Sequence, residues 1–190
     1  MNILFKLTTQ EGKTHNETQW GENVTHEATG DIKQGLCSDA WIHAYTHPLL
    51  AVLMNPVHAD IENPILWEGK GEGEAKFEPL KCGFRKFTTL KKIPLPEVTD
   101  VQKVAFGILC AKEVYKDKDS SWNQWADKWL SGEDRTEAAD AASNAAKYAA
   151  DAAYAAYAAN AAYANAAVYA ASKGKELDFV SIALKAMEVK

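Results

Sequence analysis

From Ala138 to Ser172, 21 of 35 residues are alanine, and only Asp140, Lys147 and Asp151 carry charge. Alanine is the strongest helix former, so the tract predicts one long helix. At 1.5 Å per residue it would extend roughly 50 Å, longer than a small domain is wide. Five of the seven tyrosines lie in it: Tyr148, Tyr154, Tyr157, Tyr163 and Tyr169. At about 100° per residue they spread around the axis, so the helix has no single apolar stripe. A rod with so little charge is not an ordinary solvated face. Small side chains let helices approach closely, which favours bundled or antiparallel packing, against another helix of this chain or, in a homo-oligomer joined through this helix, against another copy; the alternative is a single helix held up mainly by intrinsic propensity.

The tract also colours the composition. Hydrophobic residues make up 47% of the 190, but the larger ones lie mostly before residue 131. A true core is therefore expected in the N-terminal part. The net charge of −5 argues against a broad nucleic-acid-binding surface. Cys37, Cys82 and Cys110 have no CxxC spacing, and three is an odd count. Both points suit a reducing compartment, with the cysteines acting as small buried hydrophobes. Residues 1–7 are too short and too quickly polar for a signal peptide, and the alanine tract is too weakly hydrophobic for a membrane span. A soluble cytosolic chain is expected.

The predicted fold class is α+β: a mixed domain over 1–96, two packing helices over 97–131, then the long alanine-rich helix and a short terminal helix over 132–190. Ile3, Phe5 and Leu7 mark a first strand ending at the turn Gln10-Glu11-Gly12-Lys13. Short strands are expected in the polar stretch 13–35, and Leu36–Tyr45 is a further strand candidate. Pro48 opens a short helix that Asn55-Pro56 should end. Ile65–Glu68 predicts a strand, with 69–74 as a glycine-rich loop. Phe84–Ile93 predicts another strand, and Pro94-Leu95-Pro96 a boundary. Thr99 and Gln102 form a capping-box pattern ahead of a helix. A second helix carries Trp122, Trp125 and Trp129, stopped at Ser131-Gly132. These tryptophans suit packing onto the domain, with ligand stacking or an oligomer surface as the alternative. Asp134 and Glu137 can cap the alanine helix, Lys173-Gly174 ends it, and Leu177–Met187 forms a last helix.

Chemistry-bearing residues concentrate between Cys37 and His58. His43 and His47 have the HxxxH spacing of a zinc pair. On a strand, however, they lie about 13 Å apart, too far for one metal, so no metal or cofactor is expected. Cys37 lacks a nucleophile elbow. The segment 69–73 has P-loop-like glycines without GxxxxGK[ST], and its glutamates would repel phosphate. Lys81, Arg85, Lys86, Lys91 and Lys92 are interleaved with Phe84 and Phe87, which suits either a solvated basic face or a phosphate contact. With Trp41, Tyr45 and Trp67 they fit the pattern of a nucleotide or small-anion pocket. The candidate ligand-binding residues are Trp41, His43, Tyr45 and His47 for base or ribose, and Arg85 and Lys86 for phosphate.

Leu36-Cys37, Trp41–Tyr45, Pro48–His58, Asn63-Pro64, Leu66–Glu68, Gly83–Lys86 and Ile93–Pro96 together resemble a family of uncharacterised bacteriophage-encoded proteins over roughly residues 1–131. The resemblance implies a phage origin and the host cytoplasm, and supplies no catalytic residue. By analogy with small phage proteins that counter host defence, the expected function is sequestration of a small phosphorylated ligand such as a nucleotide immune signal. The alternatives are a protein-binding inhibitor acting through the alanine helix, and a hydrolase or transferase acting on nucleotides through His43 or His58.

Overall fold

The computed structural model describes residues 3–115, 120–135, 164, 167–173 and 177–190. It combines an antiparallel sheet with α-helices, an α+β chain, and divides into two compact units, Met1–Pro96 and Glu97–Lys190.

The first unit is built on five strands: β1 (Leu4–Thr8), β2 (Val24–Glu27), β3 (Ile42–Ala44), β4 (Ile65–Phe77) and β5 (Cys82–Ile93). The path runs β1-β4-β5-β2, with β3 sharing the outer edge of β5. All pairings are antiparallel, and β3 occupies Cys82–Phe84 while β2 occupies Lys86–Thr89. Just past β3, Tyr45 and Phe5 exchange two backbone hydrogen bonds, of 2.8 and 2.9 Å. That bridge joins β3 back to β1, so β1, β4, β5 and β3 close into a ring around Leu4, Trp20, Ala44, Cys82, Phe84 and Phe87. The bridge covers the edges of β1 and β3, while β2 pairs on one side only, with β5.

Three sequence expectations change here. Residues 69–74 are not a loop: β4 runs through them, with register shifts at Glu68/Gly69 and Glu72/Ala75. A Cβ on Gly69 would meet the Phe87 ring at 2.6 Å, and one on Gly71 the Phe84 ring at 2.2 Å. The glycines are the hollows into which two phenylalanines fit. Phe84 and Phe87 share one core cluster, so strict alternation does not hold across them. Second, α1 runs from Pro48 to His58, through Pro56. Asn55 closes it: its backbone carbonyl accepts from Ala59 and Asp60, and its side chain exchanges hydrogen bonds with the Ile61 backbone. Third, of Leu36–Tyr45 only Ile42–Ala44 is strand; the remainder loops over the sheet, with Leu36, Ala40 and Trp41 buried as a small core of their own.

In the second unit, α2 spans Asp100–Tyr115 and α3 spans Ser120–Ser131. The Thr99–Gln102 box forms reciprocally, at 3.0 and 3.2 Å. Gly132, at φ +81°, ends α3 in the left-handed conformation. Trp129 is fully buried, and Lys112 pairs with Asp127 between the helices. The last helix, α4 (Phe179–Met187), is capped by Asp178 and packs on α2; Phe179, Ile182, Ala183 and Ala186 are its buried residues. Most of the alanine tract lies outside the described residues; 167–172 are helical. Among the described residues no helix is long and apolar enough to cross a membrane.

Candidate functional site

In the histidine-rich segment the polar side-chain atoms hold local structure. His47 is the N-cap of α1, its Nδ1 accepting from the Leu49 N–H at 3.2 Å. The His43 ring bonds the Leu36 carbonyl, and the His43 carbonyl accepts from the Lys6 ammonium at 3.0 Å. Tyr45 stacks on His58, with ring centroids 5.9 Å apart. Burial disfavours the charged imidazoles, lowering His43 and His47 and bringing His58 down to about 4. Trp41 is buried, its Nε1 donating to Gln34 O at 3.3 Å.

Among the described residues, the two predicted phosphate contacts lie outside any shared pocket with the histidines and have partners of their own. Arg85 Nη1 donates to Gly30 O at 2.8 Å and to Ala40 O at 2.7 Å, fastening the 28–41 loop to β5. Lys86 pairs with Glu27 across β5 and β2 at 3.0 Å.

A candidate site lies elsewhere on this unit. An open cleft of about 540 Å³ lies where the turn after β1, the segment 20–22, the start of β4 and the end of β5 converge. That volume is within the range of small-molecule sites. Its apolar walls are Trp20 and Trp67, its cations Lys91 and Lys92, and its anions Glu11 and Glu22, with Gln10, Gly12 and Gly21 between them. None of Trp41, His43, Tyr45, His47, Arg85 or Lys86 lines it.

Each wall is fixed from within the fold. Trp67 Nε1 donates to Thr8 Oγ1 at 2.9 Å, and Trp20 Nε1 to Thr14 Oγ1 at 2.8 Å. Gly12 sits at φ +79° beneath Trp20, whose N–H donates to the Gly12 carbonyl at 2.7 Å. A Cβ at that glycine would meet the Trp20 backbone carbonyl at 2.6 Å, so the turn packs directly on the Trp20 main chain. Antiparallel register sets Trp67 opposite Lys92, and Glu68 opposite Lys91. The Lys92 ammonium therefore stands 5.4 Å from the Trp67 ring centroid, and Lys91 pairs with Glu68 at 3.1 Å. Hydrogen bonds from its own backbone and from Thr9 hold the Glu11 carboxyl below the usual range, so it is ionised at neutral pH.

Both indoles are only 3% exposed, so they floor the cleft and do not offer a full face for stacking. Trp67 and the Lys91–Lys92 pair were readable as an aromatic-plus-cation pattern. The Gln10–Gly12 turn and Trp20–Glu22 were not. The available signal was an isolated tryptophan next to glycine in an otherwise polar stretch. Comparison with protein-family models, curated proteins and solved structures finds no match, so the cleft is interpreted from its own chemistry.

Proposed function

We propose that this protein binds and sequesters a small phosphorylated ligand of the nucleotide class, and that the Trp20–Trp67 cleft is its site. The observation that carries the reading is the juxtaposition, in one open cleft, of an apolar indole floor, two lysines and two glutamates. Each part suits a different part of a nucleotide. The indole edges pack against a base. Lys91 and Lys92 draw phosphate oxygens, and the Lys91–Glu68 pair, with the lysine 63% exposed, is weak enough to be exchanged. Glu11 and Glu22 accept hydrogen bonds from ribose hydroxyls, a familiar carboxylate role in nucleotide sites.

The ligand is thus of the class expected from sequence, seated in the cleft and not on the histidine segment. On sequence grounds the protein acts in a phage context and self-assembles through an alanine-rich helix within an all-helical second unit. Sedimentation of the full chain beside an Ala153→Glu/Ala156→Glu variant tests the assembly.

The test of binding is native mass spectrometry with a panel of linear and cyclic nucleotides. The expected result is one nucleotide retained per chain and released chemically unchanged, with retention lost in Lys92→Glu and kept in Lys86→Glu. Equal loss in both variants, or turnover abolished by His43→Ala, would overturn the assignment.

A further inference from the structure

Cys37 and Lys81 lie 44 residues apart in sequence, yet the Lys81 Nζ is 2.8 Å from the Cys37 Sγ. Neither segment reaches the other by chance of side-chain extension. Lys81 closes the β4–β5 hairpin turn, where the Glu78 N–H donates to the Lys81 carbonyl at 2.9 Å. Cys37 follows Leu36, which is 1% exposed and lies so close to Gly83 that a Cβ there would meet its Cδ1 at 2.3 Å. Two further side chains of the hairpin strands, Lys76 and Arg85, hold the same loop through Gln34 O, Gly30 O and Ala40 O. The amine and the sulfur are thus presented to each other by two anchored pieces of backbone.

The three cysteines are free thiols in unlike settings. Cys82 and Cys110 are buried, whereas Cys37 is exposed. Burial pushes the Cys82 thiol up to about 12 and raises Cys110 well above its ordinary value, which suppresses the nucleophilic thiolate at both. An oxidant in solution meets Cys37 first, and the nitrogen nucleophile at hand is Lys81.

We propose that Cys37 and Lys81 form a peroxide-responsive covalent latch, a reversible sulfur–nitrogen cross-link between the 28–41 loop and the β4–β5 hairpin. In the first step the Cys37 thiolate attacks one oxygen of hydrogen peroxide. The S–O bond forms, the O–O bond breaks, and the departing hydroxide takes a proton from the Lys81 ammonium to give water. Sulfur is oxidised by two electrons and the peroxide is reduced. In the second step the Lys81 amine attacks the sulfenic sulfur. The S–N bond forms, the S–O bond breaks, and hydroxide leaves with a proton from the same nitrogen as a second water. Starting from thiolate and ammonium, charge and atoms balance without another reactant. The product is a sulfenamide, the reversible condensation product of a sulfenic acid with nitrogen. It abolishes the Lys81 charge and ties the hairpin to the loop, and a thiol reductant reopens it.

The full-length protein, treated with a small excess of hydrogen peroxide and digested, tests this directly. The expected result is a peptide pair joining Cys37 to Lys81, with a mass about 2 Da below the sum of the unmodified peptides. Dithiothreitol should return both peptides. Lys81→Arg, which keeps a cation but no amine nucleophile, should accumulate the sulfenic acid, trapped by dimedone. Cys37→Ser should show no peroxide-dependent change at Lys81. Both substitutions fall at the surface or its margin, so circular dichroism is expected to match wild type. Oxidation of Cys37 to sulfinic acid with Lys81 unmodified, or a disulfide between the Cys37 residues of two chains as the main product, would overturn the proposal.

Discussion

Lys6 is a cation inside the ring of strands. It is 8% exposed, and its ammonium has one carbonyl acceptor, His43 O at 3.0 Å. The rings of Trp20 and Phe87 lie 4.7 and 5.9 Å away. Desolvation brings its pKa down from 10.5 to about 8. In the unfolded chain the same amine holds its proton to higher pH, so between about 8 and 10.5 the unfolded state binds more protons and stability rises with pH. Below that window both states are protonated and the full cost is present, about 3 kcal/mol at pH 7; at pH 10 about 1 kcal/mol remains. Lys6→Met keeps the apolar stem and removes the titration. Urea denaturation of wild type and Lys6→Met from pH 7 to pH 10 isolates the effect, because other titrating groups cancel in the difference. The loss of the hydrogen bond and the ring contacts adds an offset of about 1–3 kcal/mol against the variant that does not vary below pH 8. The change in the difference is therefore the diagnostic: wild type should gain about 2–3 kcal/mol on Lys6→Met across the range. A difference that stays flat with pH would refute the account of Lys6 as a desolvated cation.

Other outcomes follow from particular groups. His58 carries a pKa of about 4 in the fold against 6.5 ordinarily, so stability is complete above 6.5 and falls as the pH drops toward 4, by about 3 kcal/mol at the limit. His58→Leu should flatten that acid limb in a pH series of thermal melts. Gly71→Ala places a methyl where the Phe84 ring stands 2.2 Å away, and a loss of about 2–3 kcal/mol is expected by chemical denaturation, with Gly73→Ala as the comparison that meets only Arg85 Cβ at 3.4 Å but sits at φ +77°. Asp178→Ala removes the acceptor for the Val180 and Ser181 N–H groups and should cost α4 about 1 kcal/mol, read as a lower thermal midpoint.

The boundaries that punctuation residues set were legible in the sequence. Pro48 opened α1, the Thr99–Gln102 box opened α2, and Gly132 closed α3, each through a local hydrogen bond or backbone preference that needs no distant partner. The errors fell where tertiary packing overrode local chemistry. Gly69 and Gly71 suggested a loop because their role depends on Phe87 and Phe84, residues 13 to 18 positions later. Asn55-Pro56 suggested a stop because the continuation to His58 depends on Asn55 gripping the Ile61 backbone. None of the six candidate ligand residues lines the proposed cleft; of the wider aromatic-plus-basic pattern, Trp67, Lys91 and Lys92 do. Strand register sets Trp67 opposite Lys92, whereas Trp41 and Tyr45, read with them in the sequence, lie outside the cleft. The histidines and Arg85 drew attention as reactive types, yet their polar atoms are occupied by carbonyls and N–H groups that only the fold brings near.

The most direct test of the cleft assignment is nuclear magnetic resonance of the six tryptophan indole N–H groups during titration with the nucleotide retained in native mass spectrometry. The account predicts that the Trp20 and Trp67 signals shift together and saturably, and that Trp41 stays still. Movement of Trp41 with Trp20 and Trp67 unchanged would place the ligand on the histidine segment and contradict it.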